Sequence, residues 1–468
     1  MGGIMKKINL LLIVAVLMSI LSGCSSSSAP ELPTNPNIKE DTYDSFSEEQ
    51  SGEESATEDQ NTVKTEGTEK QILTITAYSL YRDYLTARKH KFMELHPDVD
   101  IRLTFYSTPS AYSDNTYTTR LATDLMGGSA SDIILVDNPV LWNYGELGYF
   151  EGLYQYLEKD VDISKESFYP EMLKALEIGG ELYVLPVIIN YKVLLLNTEY
   201  EELLQNELAG KYTLTYYDLA KLCDIVKDSL PEGTVLYPTN AYSAKFALIA
   251  EMDTYFDKKE KYVNFSNSVD LIEFVEPYTV PGMNEGYTIA SDENSLFTEG
   301  VHALGGFWPA LSADFSFEGG GYMLANTKGE ITFELNLAYA INSSSQNKDL
   351  AWEFLKFSTE DVHDRGDGIY ISQHIPARQD EFWKNYTQRM TDVFATCSNP
   401  LLEDEEYVQS VFERMQELQY MLNNFGYGYS AVFWEALEPA VKDYGLGLID
   451  AQGLADRIQE KMEAYANE

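Results

Sequence analysis

Aromatic side chains are the main chemical resource of this sequence. The 468 residues include 34 Tyr and 21 Phe, and aromatic residues make up 13% of the chain. An aromatic ring stacks on the apolar face of a sugar, and a tyrosine adds a hydroxyl group that hydrogen-bonds a wet ligand. Most single tyrosines pack in or beside a core, so the excess favours a carbohydrate cleft only where position supports it.

Sequence motifs of enzymatic chemistry are absent. The chain has no GxSxG elbow, Walker P-loop, HExxH or CxxC. The run 319–321 of three glycines lacks the strand-to-helix setting of a dinucleotide loop and is interpreted as a surface turn. Asp160 and Asp162 have the spacing of calcium ligands, but the residues after them lack the glycine of a calcium loop. A glycosidase needs two carboxylates about 5 to 10 Å apart across a cleft, and nothing singles out such a pair.

The charge balance excludes one class of partner. Lys and Arg number 33 against 75 Asp and Glu, giving a formal net charge of −42. Nucleic-acid affinity depends on cationic neutralisation of phosphates, so DNA and RNA are excluded as partners. Three Cys and five His predict neither a disulfide scaffold nor a metal site, and no cofactor is expected. Cys223 and Cys397 are either a disulfide or two buried thiols.

The start of the chain has the features of an export signal. Lys6 and Lys7 precede an apolar run from Ile8 to Ile20, which is too short to span a bilayer. The run ends in Leu-Ser-Gly-Cys24, which resembles the bacterial lipoprotein lipobox, where the cysteine is acylated and becomes the mature N-terminus. We therefore expect residues 1–23 to be a lipoprotein signal peptide, and the protein to be lipid-anchored through Cys24 on the outer face of the cell membrane.

Residues 24–70 form a low-complexity acidic segment. Between Ser25 and Lys70 it holds twelve acidic residues against three basic ones, with almost no aliphatic periodicity. Such a composition buries too little apolar surface to offset the entropy of ordering. We predict that the acylated cysteine and this segment form a disordered tether.

From Gln71 onward the pattern is that of an α/β protein. Strands are predicted at 72–78, 99–106 and 132–136, the last as a continuous apolar run typical of a buried parallel strand. Helices are predicted at 84–96, 115–126, 217–228, 349–358, 408–423 and 454–465. The alternation of strand and helix indicates an α/β layer.

Several stretches of this body resemble, in order and spacing, the extracellular solute-binding proteins of carbohydrate ABC importers, the family that contains the maltose-binding proteins. They are Phe92–Val99, Asp132–Asp137, Tyr144–Leu153, Gly180–Pro186 continuing to Asn197, Phe297–Trp308, Ala340–Leu355 and Tyr429–Trp434. The resemblance covers most of residues 71–468.

The resemblance implies a two-lobed α/β fold of the periplasmic-binding-protein type, with hinge strands and a ligand cleft between the lobes. Residues 71–188 and 333–376 would form the N-terminal lobe, and 189–332 and 377–468 the C-terminal lobe. The chain would cross between them near 186–190, 333–340 and 375–376.

The resemblance also implies ligand-binding residues, each taken from its matching motif. Asp137 would bond sugar hydroxyls, and Trp308 and Trp434 would stack on sugar rings. Asn190 stands where maltose-type members carry an acid, which departs from the pattern. Tyr78, Tyr191 and Asn138 are expected at the rim of the site, and Arg82 is either a ligand contact or a surface residue.

The sequence thus predicts a monomeric, non-catalytic receptor that delivers a sugar to ABC permease subunits. Alternatives are capture of a peptide, polyamine or ferric ion, a lipid-anchored glycosidase, and a sensor or adhesin. Ferric binding would use tyrosinates, and the pair Tyr216-Tyr217 resembles instead a helix start of the family. The acidic body argues mildly against anionic ligands, although a local arginine would reverse this.

Overall fold

The computed structural model of the protein describes the chain in segments that all lie within Gly67–Glu468. The described residues are 70–106, 116–136, 144–197, 200–229, 243–257, 260–276, 296–301, 315–360, 375–382, 384, 405–425 and 431–467. The predicted signal peptide, Cys24 and the predicted tether as far as residue 69 lie outside them.

Strands and helices alternate along the described segments. The strands are β1 (Gln71–Tyr78), β2 (Val99–Tyr106), β3 (Ile133–Leu135), β4 (Glu177–Ile178), β5 (Glu181–Leu182), β6 (Leu185–Asn197), β7 (Thr213–Leu214), β8 (Phe256–Asp257), β9 (Tyr262–Val263), β10 (Phe297–Val301), β11 (Phe315–Leu324), β12 (Thr332–Ile341), β13 (Ile375–Pro376) and β14 (Asn424–Phe425). The helices are α1 (Arg82–Leu95), α2 (Thr116–Gly127), α3 (Tyr154–Leu157), α4 (Pro170–Ala175), α5 (Glu201–Leu208), α6 (Tyr216–Val226), α7 (Ser243–Ala250), α8 (Met252–Tyr255), α9 (Val269–Val275), α10 (Lys348–Ser358), α11 (Glu405–Gln419), α12 (Ala431–Gly445) and α13 (Ala451–Asn467).

The first three strands form the parallel layer that the sequence predicted. Strand β1 pairs with β2 along its whole length, and Ile75 of β1 pairs with Ile133 of β3. Helix α1 ends before Pro97, because a proline disfavours the helical conformation of the residue before it. The predicted strands and the helices around them are confirmed to within one or two residues.

Strand β6 joins the two halves of the main sheet. Its first half pairs antiparallel with β12 and β13, where Tyr191 lies opposite Phe333 and Ile189 opposite Ile375. Its second half pairs antiparallel with β10 and β11. The three segments predicted as crossings therefore lie side by side in one sheet.

Buried hydrophobic residues form two cores, and these define two lobes. The first core takes residues from 73–193, 323–355 and 375–425, and the second takes residues from 194–322 and 433–466. The chain passes to the second core between Val193 and Leu194 of β6 and returns between Tyr322 and Met323 of β11. The predicted two-lobed α/β fold is confirmed.

The predicted lobe boundaries stay a prediction. The sequence assigned 377–468 to the second lobe, and the structure packs Leu418, Leu422 and Phe425 from this range in the first core. Beside them, the fully buried Gln419 hydrogen-bonds the hydroxyls of Tyr169 and Tyr191, which also belong to the first core.

Across the described segments, no helix combines the length and the apolar character needed to cross a bilayer.

Candidate functional site

Three tyrosines meet where the parallel strands of the first lobe end. Tyr78 and Tyr106 are the last residues of β1 and β2 and lie opposite each other in the pairing register. Tyr117, in the first turn of α2, stacks on Tyr78 with 3.8 Å between ring centroids and meets Tyr106 edge-on at 5.8 Å. Ligands of open α/β sheets bind outside the carboxyl ends of the strands. We call these three residues the strand-end cluster.

Tyr117 fixes the strand-end cluster to the sheet. Its side chain is almost fully buried, and its hydroxyl donates a hydrogen bond of 2.8 Å to the backbone carbonyl of Leu135 in β3. Tyr78 and Tyr106 are only partly buried. The cluster therefore has an anchored ring on the inside and two partly accessible rings outside.

The phenol of Tyr106 remains neutral in this setting. Its hydroxyl donates a hydrogen bond of 2.7 Å to Asp124 Oδ2. Burial and the neighbouring Asp124 carboxylate raise the pKa of Tyr106 above its ordinary value, and Arg120 opposes them weakly. A neutral ring beside a fixed hydroxyl offers apolar stacking together with directed hydrogen bonding, the combination that a sugar requires.

Two arginines lie beside the strand-end cluster. The guanidinium carbon of Arg82 lies 4.3 Å from the ring centroid of Phe105, and that of Arg120 lies 6.0 Å from the ring centroid of Tyr106. Arg120 also approaches Asp124 at 3.7 Å. Arg82 is exposed, which leaves its guanidinium accessible at the edge where the strands end.

Three of the predicted site residues belong to segments that the structure does not describe. Asp137, Asn138 and Trp308 lie outside the described residues. Val136, which precedes Asp137 in the chain, is buried at the end of β3, and its backbone nitrogen donates a hydrogen bond of 2.8 Å to Ala338. Asp137 therefore follows a strand whose carboxyl end is at the same edge as the strand-end cluster.

Asn190 and Tyr191 lie in β6 and are buried in the first lobe. The Tyr191 hydroxyl accepts a hydrogen bond of 3.1 Å from Gln419 Nε2. Burial raises the pKa of Tyr191 well above its ordinary range. In this conformation the Tyr191 side chain belongs to the core rather than to an accessible surface.

Trp434 lies in α12 of the second lobe and is partly buried. Lys245 of α7 places its ammonium group 4.7 Å from the centroid of the indole ring. The same ammonium group forms an ion pair with Glu438. Since Tyr78 belongs to the first lobe and Trp434 to the second, the structure places these two predicted aromatic contacts on different lobes.

Tyr106 and Tyr117 were not among the predicted site residues. Tyr106 ends its strand in register with Tyr78, so the rule that ligands bind at carboxyl strand ends would have indicated it. Tyr117 joins the cluster through the packing of α2 on the sheet. Its position required the register and helix placement, and sequence spacing carries no signal of that contact.

The predicted helix start at Tyr216-Tyr217 is confirmed. Thr215 Oγ1 accepts a hydrogen bond from the backbone of Asp218, whose carboxylate accepts one from the backbone of Thr215. This reciprocal capping box fixes the first turn. Burial, followed by the charges of Glu251 and Asp270, raises the pKa of Tyr217, so its phenol is neutral in this structure.

Metal and thiol chemistry gain no geometric support in the described part of the chain. Its histidines, cysteines and acids form no group of three suited to a metal ion. Between Asp160 and Asp162 lies the ammonium of Lys356, at 3.2 and 2.9 Å. Cys223 is a buried free thiol, and burial raises its pKa to about 12. Cys397 lies outside the described residues.

Comparison with known proteins identifies the family. The model of the family described as bacterial extracellular solute-binding protein matches residues 74–362, which is more than half of the chain. The protein therefore belongs to this family of solute receptors, as the sequence motifs predicted. No curated protein matches the chain.

Solved structures of other solute-binding proteins share the fold. A family 1 extracellular solute-binding protein from Alicyclobacillus acidocaldarius superposes with a TM-score of 0.60 at 15% identity, covering 86% of this chain and 100% of that one. The sugar-binding protein MalE from Xanthomonas citri gives 0.58 at 13% identity, covering 85% and 98%. A periplasmic oligogalacturonide binding protein from Yersinia enterocolitica gives 0.56 at 13% identity, covering 85% and 99%.

Proposed function

We propose that this protein is a lipid-anchored extracellular receptor that captures a carbohydrate and delivers it to the permease subunits of an ABC importer. The observation that carries the proposal is the strand-end cluster, where two partly accessible tyrosine rings stand at the carboxyl ends of β1 and β2. The family membership and the sugars named for two of the similar structures support it. The proposed receptor is monomeric and has no catalytic role.

The proposed mechanism follows from the two-lobed fold. Tyr78 and Tyr106 would stack on the sugar from the first lobe, and Trp434 would meet it from the second. A ligand that touches both lobes binds the closed arrangement more tightly and so shifts the equilibrium towards it. The closed form would then dock on the permease.

Further ligand contacts are proposed from the matching motifs. Asp137 and Asn138 would bond sugar hydroxyls, and Trp308 would add a stacking surface. Asn190 and Tyr191 stay proposals as well, and a ligand would reach them only after the side chains over β6 rearrange. Acylation of Cys24 and the acidic tether would keep the receptor at a high effective concentration near the importer.

A ligand screen tests the proposed function. The protein is purified from membranes, and its thermal unfolding is followed with neutral and acidic saccharides, peptides, polyamines and ferric ion. A one-site ligand at a hundredfold excess over its dissociation constant adds about 2.7 kcal/mol of stability. We expect a shift with one class of saccharide, and calorimetry then gives its Kd.

Two tyrosine variants link the binding to the site. Tyr106→Ala should raise the Kd at least tenfold, since an aromatic ring that a bound ligand covers contributes about 1.5 kcal/mol or more to binding. Tyr262→Ala, at an exposed tyrosine of β9, is the matched control and should leave the Kd unchanged. A shift with only a peptide, polyamine or iron, or turnover of a chromogenic glycoside, contradicts the proposal.

The lipid anchor has its own test. Wild-type protein should incorporate labelled palmitate and sediment with membranes, and Cys24→Ser should do neither. Equal incorporation of label into wild type and Cys24→Ser would place the acylation at another residue, without bearing on the sugar site.

A further inference from the structure

A group of hydrogen bonds joins the two lobes beside the hinge strands. Glu251 and Asp253 flank Met252, whose side chain packs in the second core. Thr327 and Lys328 lie in the turn between Ala325 and Ile331, and Asn424 precedes Phe425. Ala325, Ile331 and Phe425 all pack in the first core. We call Glu251, Asp253, Thr327, Lys328 and Asn424 the interlobe clasp.

Both acids of the clasp accept hydrogen bonds from the opposite lobe. Asp253 Oδ2 accepts one of 2.7 Å from Asn424 Nδ2, and the Asp253 backbone carbonyl accepts one of 2.6 Å from Lys328 Nζ. Glu251 Oε2 accepts bonds of 3.0 and 2.8 Å from the backbone nitrogen and the hydroxyl of Thr327. Four donor groups of the first lobe thus converge on one short segment of the second.

Burial makes these bonds sensitive to the angle between the lobes. Glu251 is 0% exposed, and burial is also the largest influence on the Asp253 carboxyl. A buried carboxylate is costly unless hydrogen-bond donors surround it. Rotation of one lobe against the other would withdraw Thr327 from Glu251 and Asn424 from Asp253. Glu251 Oε2 would keep the bond from Thr254 within its own lobe. The clasp therefore favours the arrangement in which its donors and acceptors meet.

We propose that the interlobe clasp sets the resting angle between the two lobes. The acids of the second lobe hold the β11–β12 turn and β14 of the first lobe, and a change of angle requires these bonds to break. The clasp is built from lobe-to-lobe contacts, so the proposal holds whichever solute the cleft accepts.

A swap of the Asp253–Asn424 pair tests the clasp. Asn424→Asp places two carboxyl groups at a distance suited to one hydrogen bond, and at pH 9.5, where both are ionised, their repulsion should force the lobes apart. Asp253→Asn keeps an acceptor for Asn424 and should preserve the angle. The double variant D253N/N424D restores an amide–carboxylate pair and should restore the angle as well.

The interlobe distance is measured without ligand by double electron–electron resonance on the full chain. Spin labels on unnatural amino acids replace Lys174 of the first lobe and Lys461 of the second, both of which are exposed. We expect Asn424→Asp to move the mean distance by at least about 2 Å. The exposed acid Asp456, substituted by Asn, is the control and should leave the distance unchanged.

A folded Asn424→Asp protein with the wild-type distance would overturn the proposal, and so would a shift that D253N/N424D fails to reverse. If Asn424→Asp does not fold, T327V/K328M decides, because it removes two donors and adds no charge. An unchanged distance in that variant also overturns the clasp. Failure to bind any sugar would contradict only the proposed function.

Discussion

Gln419 Nε2 donates a hydrogen bond of 3.1 Å to the hydroxyl of Tyr191, across 228 positions of the sequence. The other end of the same amide accepts a hydrogen bond from the Tyr169 hydroxyl. One fully buried side chain thus ties α11 to β6 and to the residue before α4. Tyr191 lies two residues before Val193, after which β6 passes from the first core to the second. Gln419 therefore stabilises β6 next to the point where the chain passes between the lobes.

Replacement of Gln419 by leucine should destabilise the protein by about 3 kcal/mol, since it leaves two buried hydroxyl groups without partners. Urea unfolding at neutral pH measures the change. Gln409→Leu is the control, because Gln409 is exposed on the same helix and bonds only Glu413 among the described residues. Equal unfolding free energies for the two variants would show that the buried amide has no such role.

The local elements of the fold were predictable, and the link through Gln419 was not. Strands β1 and β2 follow from alternating or continuous apolar residues, and α1 ends where Pro97 requires it. The path of α11 back to the first core depends on Leu418 and Leu422 packing there. A helical pattern gives the face that is buried but not the lobe that buries it.

Lys356 should stabilise the fold in a pH-dependent way through Asp160. Burial would raise the pKa of Asp160, but hydrogen bonds from Trp352, from two backbone nitrogens and from Lys356 outweigh it, and the pKa is lowered. An acid with a lowered pKa contributes stability above its unfolded pKa and loses it as pH falls through the folded value. Lys356→Met should therefore cost about 2 kcal/mol of unfolding free energy at pH 7 and less at pH 3.

Urea unfolding at both pH values checks the Lys356 prediction. Lys227→Met is the control, because Lys227 forms an exposed pair with Asp224 and exposed pairs contribute little. A loss in Lys356→Met that stays constant down to pH 3 would mean that packing of the lysine stem, rather than its charge, is responsible.

The candidate site was predictable in position more than in membership. The carboxyl ends of the strands follow from the α/β pattern, and Tyr78 was identified there. Tyr106 could have been found by the same rule, because the predicted strand 99–106 ends at this residue. Tyr117 needed the packing of α2 on the sheet, which a single sequence does not encode locally. Asp137, Asn138 and Trp308 rest on motif resemblance, because the structure describes none of them.

Asp253 should make stability depend on pH in the opposite direction. Burial is the largest influence and raises the pKa of Asp253 to about 6. The hydrogen bond from Asn424 and the charge of Lys328 lower this pKa, and the charges of Glu330 and Asp257 raise it. The folded state then holds a proton that the unfolded chain releases above its ordinary pKa near 4. This group's contribution is most favourable at low pH and is lost as pH rises through about 6.

The unfolding free energy of Asp253→Asn relative to wild type should therefore rise by about 2 kcal/mol between pH 4 and pH 7.5, since a pKa shift of one unit corresponds to 1.36 kcal/mol. Calorimetric unfolding across this range measures the gain. Asp456→Asn, at an exposed acid of α13, serves as the comparison and should show a flat difference. If the difference in unfolding free energy between Asp253→Asn and wild type also stays constant across this pH range, the Asp253 carboxyl is exposed to water.

Arg88 should resist even its most conservative replacement. The side chain is 1% exposed, and its guanidinium donates hydrogen bonds to the carbonyls of Phe357 and Glu360 at the end of α10. Its flat face also covers the Phe357 ring at 4.3 Å. A lysine ammonium is a point donor without that face, so Arg88→Lys should lose about 2 kcal/mol of unfolding free energy. The exposed Arg102, which pairs with Asp100, provides the matched control. Arg102→Lys should have an unfolding free energy within about 0.5 kcal/mol of wild type.

Equal thermal midpoints for the two variants would mean that the positive charge alone, and not the planar guanidinium group, holds the end of α10.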